Sequence, residues 1–155
     1  MTPTIVLCYP STEAQRTQIA VAAPGYRLLD AGQDRIAELV YEADIFGGHA
    51  KVPVDWDEVV RRGRLKWIQS TAAGLDWCLV PSVIESPITV CSASGLFADQ
   101  VAEQSLALLL GLLRGLPTFF RQQQSRDFTR RPTGDLHGKT IGIAGLGGNG
   151  RRVKS

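Results

Sequence analysis

The sequence predicts an α/β fold: a doubly wound parallel sheet, then a long helix, then a separate glycine-rich strand, turn and helix start. Three observations predict it. Short, uninterrupted apolar runs recur along the first 91 residues, as in strands buried on both faces. Segments with apolar residues at helical spacing stand between them. The connections are short, and no repeat or low-complexity stretch interrupts the alternation.

Ile5-Val6-Leu7-Cys8-Tyr9 is the first such run, ended by Pro10. Ser11 can cap a helix over Thr12 to Val21, which Pro24-Gly25 ends. Tyr26 to Leu29 reads as a second strand. Asp34 to Tyr41 places Ile36, Leu39 and Val40 on one helix face, with Arg35, Glu38 and Glu42 outside. Asp44-Ile45-Phe46 is a third strand, ending in Gly47-Gly48-His49. Asp55 can cap a helix over Trp56 to Arg62, which stops near Gly63. Leu65 to Gln69 is a fourth strand, followed by a loop of small residues from Ser70 to Asp76. A short helix or turn spans Trp77 to Ile84, and Ile88 to Cys91 is the fifth strand.

Ser92 to Phe97 is a linker. A long helix starts near Ala98 or Asp99 and runs to about Leu116 or beyond. Leu106, Leu109, Leu110 and Leu113 form one stripe, and Leu108 and Leu112 lie on another face. A helix apolar around most of its circumference requires cover on more than one side, so a second domain or a second subunit is expected against it. Pro117 kinks or ends it. Arg121 to Arg131 is polar and basic, Pro132 to Asp135 is a turn, and Thr140 to Ala144 is a short apolar strand. The domains expected are therefore residues 1–94, a flavodoxin-like sheet, and residues 95–155, the long helix with the first strand and turn of a Rossmann domain.

Gly145-Leu146-Gly147-Gly148-Asn149-Gly150 fits the G-x-G-x-x-G pattern of a dinucleotide-binding turn. Gly145 would permit the tight turn, Gly147 the close approach of a pyrophosphate, and Gly150 the packing of helix on strand. The amides of Gly148 and Asn149 would lie at the start of a helix entered through Arg151 and Arg152. Glycine clusters also occur in ordinary loops. The acidic residue expected about 20 positions further on falls beyond Ser155. A second candidate is the Thr71 to Asp76 loop. It follows a strand at its carboxyl end, where open α/β sheets bind ligands. Ala73 and Gly74 carry no bulk, so their amides could reach a small anion such as a carboxylate. By residue type alone a plain tight turn is the favoured reading. His49 could face a ligand from the neighbouring loop, although an isolated histidine is more often a surface or capping residue.

Composition narrows the classes. Apolar residues make up 44% and charged residues 21%, the balance of a soluble globular chain. The net charge of +2 hides an asymmetry. Residues 1–111 carry 8 basic and 13 acidic side chains, and residues 112–155 carry 9 and 2. A basic tail can serve nucleic acid. A solvated helix and loop with acidic neighbours elsewhere is the preferred account, and neither nucleic acid nor membrane is expected as a partner. Cys8, Cys78 and Cys91 have no paired spacing, which suits a reducing, cytoplasmic setting. No Ser/His/Asp set, His-x-x-x-His pair or Cys/His cluster stands out, so no catalytic residue and no metal site is assigned. His137 has nothing to mark it as a base. Asp99 and Glu103 suit the first turn of a helix.

Three segments resemble the D-isomer-specific 2-hydroxyacid dehydrogenases: Leu65 to Asp76, Val101 to Leu109, and Leu136 to Arg151. Their order and spacing match as well, and the likeness is weakest over the first 60 residues. The resemblance implies a substrate, or lid, domain in front of an NAD(P)-binding domain, with the long helix between them helping to form a homodimer. It implies that Ala73 and Gly74 hold the carboxylate of a small 2-oxo or 2-hydroxy acid, and that Gly148 and Asn149 meet the pyrophosphate of NAD or NADP, with NAD favoured. Asn149 departs from the apolar residue usual in the family. The family's catalytic Arg, Glu and His lie further along than Ser155. The expectation is thus the front part of an oxidoreductase, inactive alone and with an incomplete cofactor site. The alternative is a stand-alone flavodoxin-like module that binds or dimerises without catalysis.

Overall fold

Strand β1, Thr4–Cys8, is buried along its whole length, as its unbroken apolar run requires of a strand with neighbours on both edges. The computed structural model describes residues 2–154. In it β1 pairs in parallel with β2 (Arg27–Asp30) on one side and β3 (Ile45–Gly48) on the other. Strands β4 (Trp67–Ser70) and β5 (Thr89–Cys91) extend the sheet in the order β2-β1-β3-β4-β5, all parallel. Reversal of strand order beside β1 makes the sheet doubly wound and opens its carboxyl edge between β1 and β3.

The crossovers are α1 (Glu13–Ala22), α2 (Ile36–Leu39), α3 (Trp56–Arg62) and α4 (Pro81–Glu85). Thr12, not Ser11, caps α1: its hydroxyl accepts from the Gln15 amide, and the Gln15 side chain accepts from the Thr12 amide. Ser11 instead donates to Asp30 at 2.9 Å. Helix α2 is shorter than its spacing predicts, because Val40–Glu42 tightens into a 3-10 turn that brings buried Ala43 to the start of β3. Asp55 caps α3 by accepting from the Glu58 amide, and Gly63 ends it in the left-handed conformation at φ 66°. The core holds Phe46, Trp56, Ile36, Ile68, Val40 and Val83, with Trp77 packed against it.

The chain divides into two compact units, one through Ser94 and one from Gly95. In the second, α5 covers Ala98–Leu113 and α6 covers Leu116–Gln124. The break falls at Gly115, φ 68°, rather than at Pro117, which sits in the first turn of α6. A proline there loses no hydrogen bond, whereas glycine reaches the left-handed region freely. Leu108 and Leu112 of α5 are 58% and 70% exposed. Thr140 to Ala144 is not a strand. A strand needs a ladder partner, and among the described residues every strand pairing belongs to the first sheet.

At the amino edge Asp44 joins three segments. Its carboxylate accepts from the Thr4 amide at 2.8 Å and from the Arg64 guanidinium at 3.0 Å. Burial works to raise its pKa, but these donors outweigh it and hold the carboxyl below its ordinary value of 3.8. A lowered folded value means stabilisation that is present above about pH 4 and lost as pH falls through the folded value. Asp44→Asn should destabilise the chain by about 1 kcal/mol at pH 7. In thermal unfolding the gap to wild type should narrow as pH falls below the ordinary carboxyl value of 3.8. A second expectation concerns the three cysteines, all free. Burial pushes the thiols of Cys8 and Cys78 up to about 11, helped at Cys78 by the Asp76 charge. A thiol reagent at pH 8 should therefore modify half-buried Cys91 first, and Cys8 and Cys78 only after denaturation.

Candidate functional site

The carboxyl edge of the sheet is built on a close approach. Gly48 pairs with Cys8 on one side and Ser70 on the other. Its φ is 141°, and a Cβ there would lie 2.9 Å from Cys8 Cβ and 3.0 Å from the Cys8 carbonyl. No other residue fits. The His49 loop that follows is held by Gln33, whose amide donates to the carbonyls of His49 at 2.9 Å and Cys8 at 3.0 Å. The Lys51 amide donates back to Gln33 Oε1 at 2.8 Å.

From β3 the geometry passes to the loop after β4. Thr71 N–H donates to the Gly48 carbonyl at 3.2 Å. The buried Ser70 hydroxyl accepts from the Ala72 amide and donates to the Ala72 carbonyl, both at 3.0 Å. The same carbonyl accepts from Ala93 N–H at 3.1 Å. Thr71 and Ala72 thus spend their donors inside the protein. Ala73 and Gly74 do not: both are exposed, and neither amide has a protein acceptor among the described residues. Two consecutive free amides at the carboxyl end of a parallel strand suit a small anion. Asp76 opposes this, since a Cβ on Gly74 would stand 3.1 Å from Asp76 Oδ1.

Sequence reasoning passed over Trp77, placing it only at the start of a short helix or turn. Its indole N–H donates to the Gly74 carbonyl at 3.2 Å, and its ring stacks on His49 with centroids 5.1 Å apart and planes 17° apart. His49 is therefore neither isolated nor a cap.

In the second unit the glycine turn is formed although no strand precedes it. Gly145 has φ 101°, and a Cβ on Gly150 would lie 2.0 Å from the Gly145 carbonyl oxygen. Gly150 thus closes the turn onto Gly145, and a Cβ there would also stand 3.3 Å from Ile143 Cγ2. Gly147 has open space where a Cβ would be. Helix α7, Gly148–Lys154, begins with Arg151 N–H donating to the Gly147 carbonyl at 3.0 Å. The first-turn amides of Gly148 and Asn149 have no protein acceptor among the described residues. Arg152 of α7 pairs with Asp99 of α5 at 2.7 Å. Ala73 and Gly74 belong to the first unit, and Gly145, Gly147, Gly148, Asn149 and Gly150 to the second.

Two further features stand apart from these residues. His137 is exposed in a turn. A groove of about 780 Å³ is lined by residues that include Phe119, Gln122, Arg126 and Phe128, and by none of the candidates. Among the described residues no group of His, Cys, Asp and Glu is placed to hold a metal, and no helix is long and apolar enough to cross a membrane.

Gly48→Ala tests the close approach. It forces a disfavoured backbone and a clash, each costing about 1–3 kcal/mol. A clear loss of stability in denaturant titration is expected; an unchanged midpoint would show that β1 and β3 can separate freely.

No family model matches the chain. It is 27% identical over 123 residues to D-3-phosphoglycerate dehydrogenase of Methanocaldococcus jannaschii, a match covering 78% of this chain and 24% of that protein. Its fold matches a D-isomer specific 2-hydroxyacid dehydrogenase family protein from Aeromonas salmonicida with TM-score 0.78 and 27% identity, over 99% of this chain and 49% of that one. A glyoxylate reductase from Paecilomyes thermophila shares the fold with TM-score 0.77 at 19% identity, over 99% and 51% of the two chains. The chain thus spans about a quarter of the curated relative and about half of the solved ones. Curated and solved relatives point to the same family for this chain, the D-isomer-specific 2-hydroxyacid dehydrogenases.

Proposed function

We propose that the chain is part of an NAD(P)-dependent oxidoreductase that interconverts a 2-oxo acid and a D-2-hydroxy acid. Residues 1–94 are its substrate domain; residues 95–155 are the linker helix and the beginning of its cofactor-binding domain. The observation that carries this reading is the pair of uncommitted amides on Ala73 and Gly74, held at the carboxyl edge of the sheet by the Ser70 turn.

Ala73 and Gly74 donate to the substrate carboxylate and so fix the carbon next to it. This is a positioning role, which lowers the barrier by orienting the reacting centre. Asp76 keeps the donors from holding a multiply charged group, so a small monoanion is the substrate class favoured. The glycine turn fits a pyrophosphate: Gly147 leaves room for close approach, and Gly148 and Asn149 offer free amides. NAD is the favoured form. The nicotinamide, when bound, supplies or accepts the hydride at the 2-carbon, and one proton is taken up or released with it. No residue of the chain is assigned to polarise the carbonyl or to move that proton. Exposed Leu108 and Leu112 support a homodimer of the whole enzyme through α5. The free thiols suit a cytoplasmic setting.

The reading separates binding from turnover. The 155-residue chain mixed with NADH and glyoxylate should show no saturable loss of absorbance at the nicotinamide band. NAD should nevertheless shift the amide resonances of Gly147, Gly148 and Asn149, with weak affinity. Saturable oxidation would contradict the reading that no residue of this chain moves the proton. Shifts confined to the first unit would contradict the cofactor assignment.

A further inference from the structure

We propose that Trp77 is a positioning residue for the carboxylate loop, fixing the direction of the Ala73 and Gly74 amides through its indole N–H. The proposal rests on the reading of those amides as carboxylate donors. The loop from Thr71 to Gly74 is made of small residues, with no side chain long enough to hold its own outer end. Ser70 fixes the near end, through both polar groups of Ala72. Trp77 fixes the far end, through the Gly74 carbonyl at 3.2 Å. Between the two anchors lie the Ala73 and Gly74 N–H groups, separated by the Ala73 carbonyl. Gly74 is the residue with the most rotational freedom to lose, so a bond to its carbonyl removes the motion that would turn the donors away.

Trp77 is itself immobilised from several sides. Phe46 and Trp56 pack on it at centroid distances of 5.5 and 5.6 Å. The Trp56 indole donates to the Trp77 carbonyl at 3.0 Å. His49 lies flat on the ring, and Gln33 clamps the His49 backbone. The loop is thus tied to the buried core by two successive indole hydrogen bonds, from Trp56 to Trp77 and from Trp77 to Gly74. A ring that merely filled space would need no donor there.

The test is an amide-resolved NMR titration of the full chain with pyruvate. Trp77→Phe keeps a ring between His49 and the core and deletes the N–H. Replacing Trp77 by its benzothienyl analogue keeps size and shape as well. In wild type, pyruvate should shift the Ala73 and Gly74 amides. In both variants the same shifts should require about five- to tenfold more pyruvate, with the benzothienyl variant still giving the dispersed amide spectrum of the folded chain. Equal affinity in wild type and the benzothienyl variant overturns the proposal, even if Trp77→Phe fails to fold. No shift at Ala73 or Gly74 in wild type overturns the carboxylate reading itself, and this proposal with it.

Discussion

The contact between Gly48 and Cys8 sets the carboxyl edge of the sheet. A backbone that approaches another at 2.9 to 3.0 Å from a missing Cβ excludes every side chain. It locks β3 against β1 at the point where strand order reverses, which is where such sheets bind ligands. The consequences run outward in order. The His49 backbone arrives where Gln33 can clamp it, and the Gly48 carbonyl arrives where Thr71 can reach it. Ser70, in register with Gly48, then turns the chain with its hydroxyl. The two free amides are the remainder once these bonds are made.

Much of the first unit was legible in the sequence, because buried parallel strands read as continuous apolar runs. Strand boundaries were less so. Tyr26 to Leu29 became Arg27–Asp30, and Leu65 to Gln69 became Trp67–Ser70. Where a strand starts is decided by its partner's hydrogen bonds, such as Lys66 N–H to the Asp44 carbonyl, and these are invisible in a local window. The same reason explains Thr140 to Ala144. Its residues suit a strand, but no partner stands beside them among the described residues. At the end of α5 the break belongs to Gly115 and not to Pro117, since backbone conformation and not residue type alone decides where a helix stops.

The candidate site was legible as a position but not as a mechanism. The small residues at 72 to 74 allow backbone approach, yet residue type cannot separate an anion loop from a plain turn. The distinction lies in which amides are already used. That depends on Ser70 bonding two residues on, and on Trp77 reaching back to Gly74. Neither bond has a motif. Gln33 is more remote still, acting on Cys8 and His49 from 25 and 16 positions away. The glycine turn behaved differently. Its left-handed Gly145 and the clearance demanded at Gly150 are local properties, so they persist without the strand that was expected to support them.

Ala73 and Gly74 are proposed to receive a carboxylate. A crystal of the chain grown or soaked with pyruvate tests this most directly. Carboxylate oxygens are expected at hydrogen-bonding distance, about 2.7–3.2 Å, from both amide nitrogens, with the Trp77 to Gly74 bond intact. A carboxylate held elsewhere at saturating pyruvate, with these two amides facing solvent, would contradict the proposal.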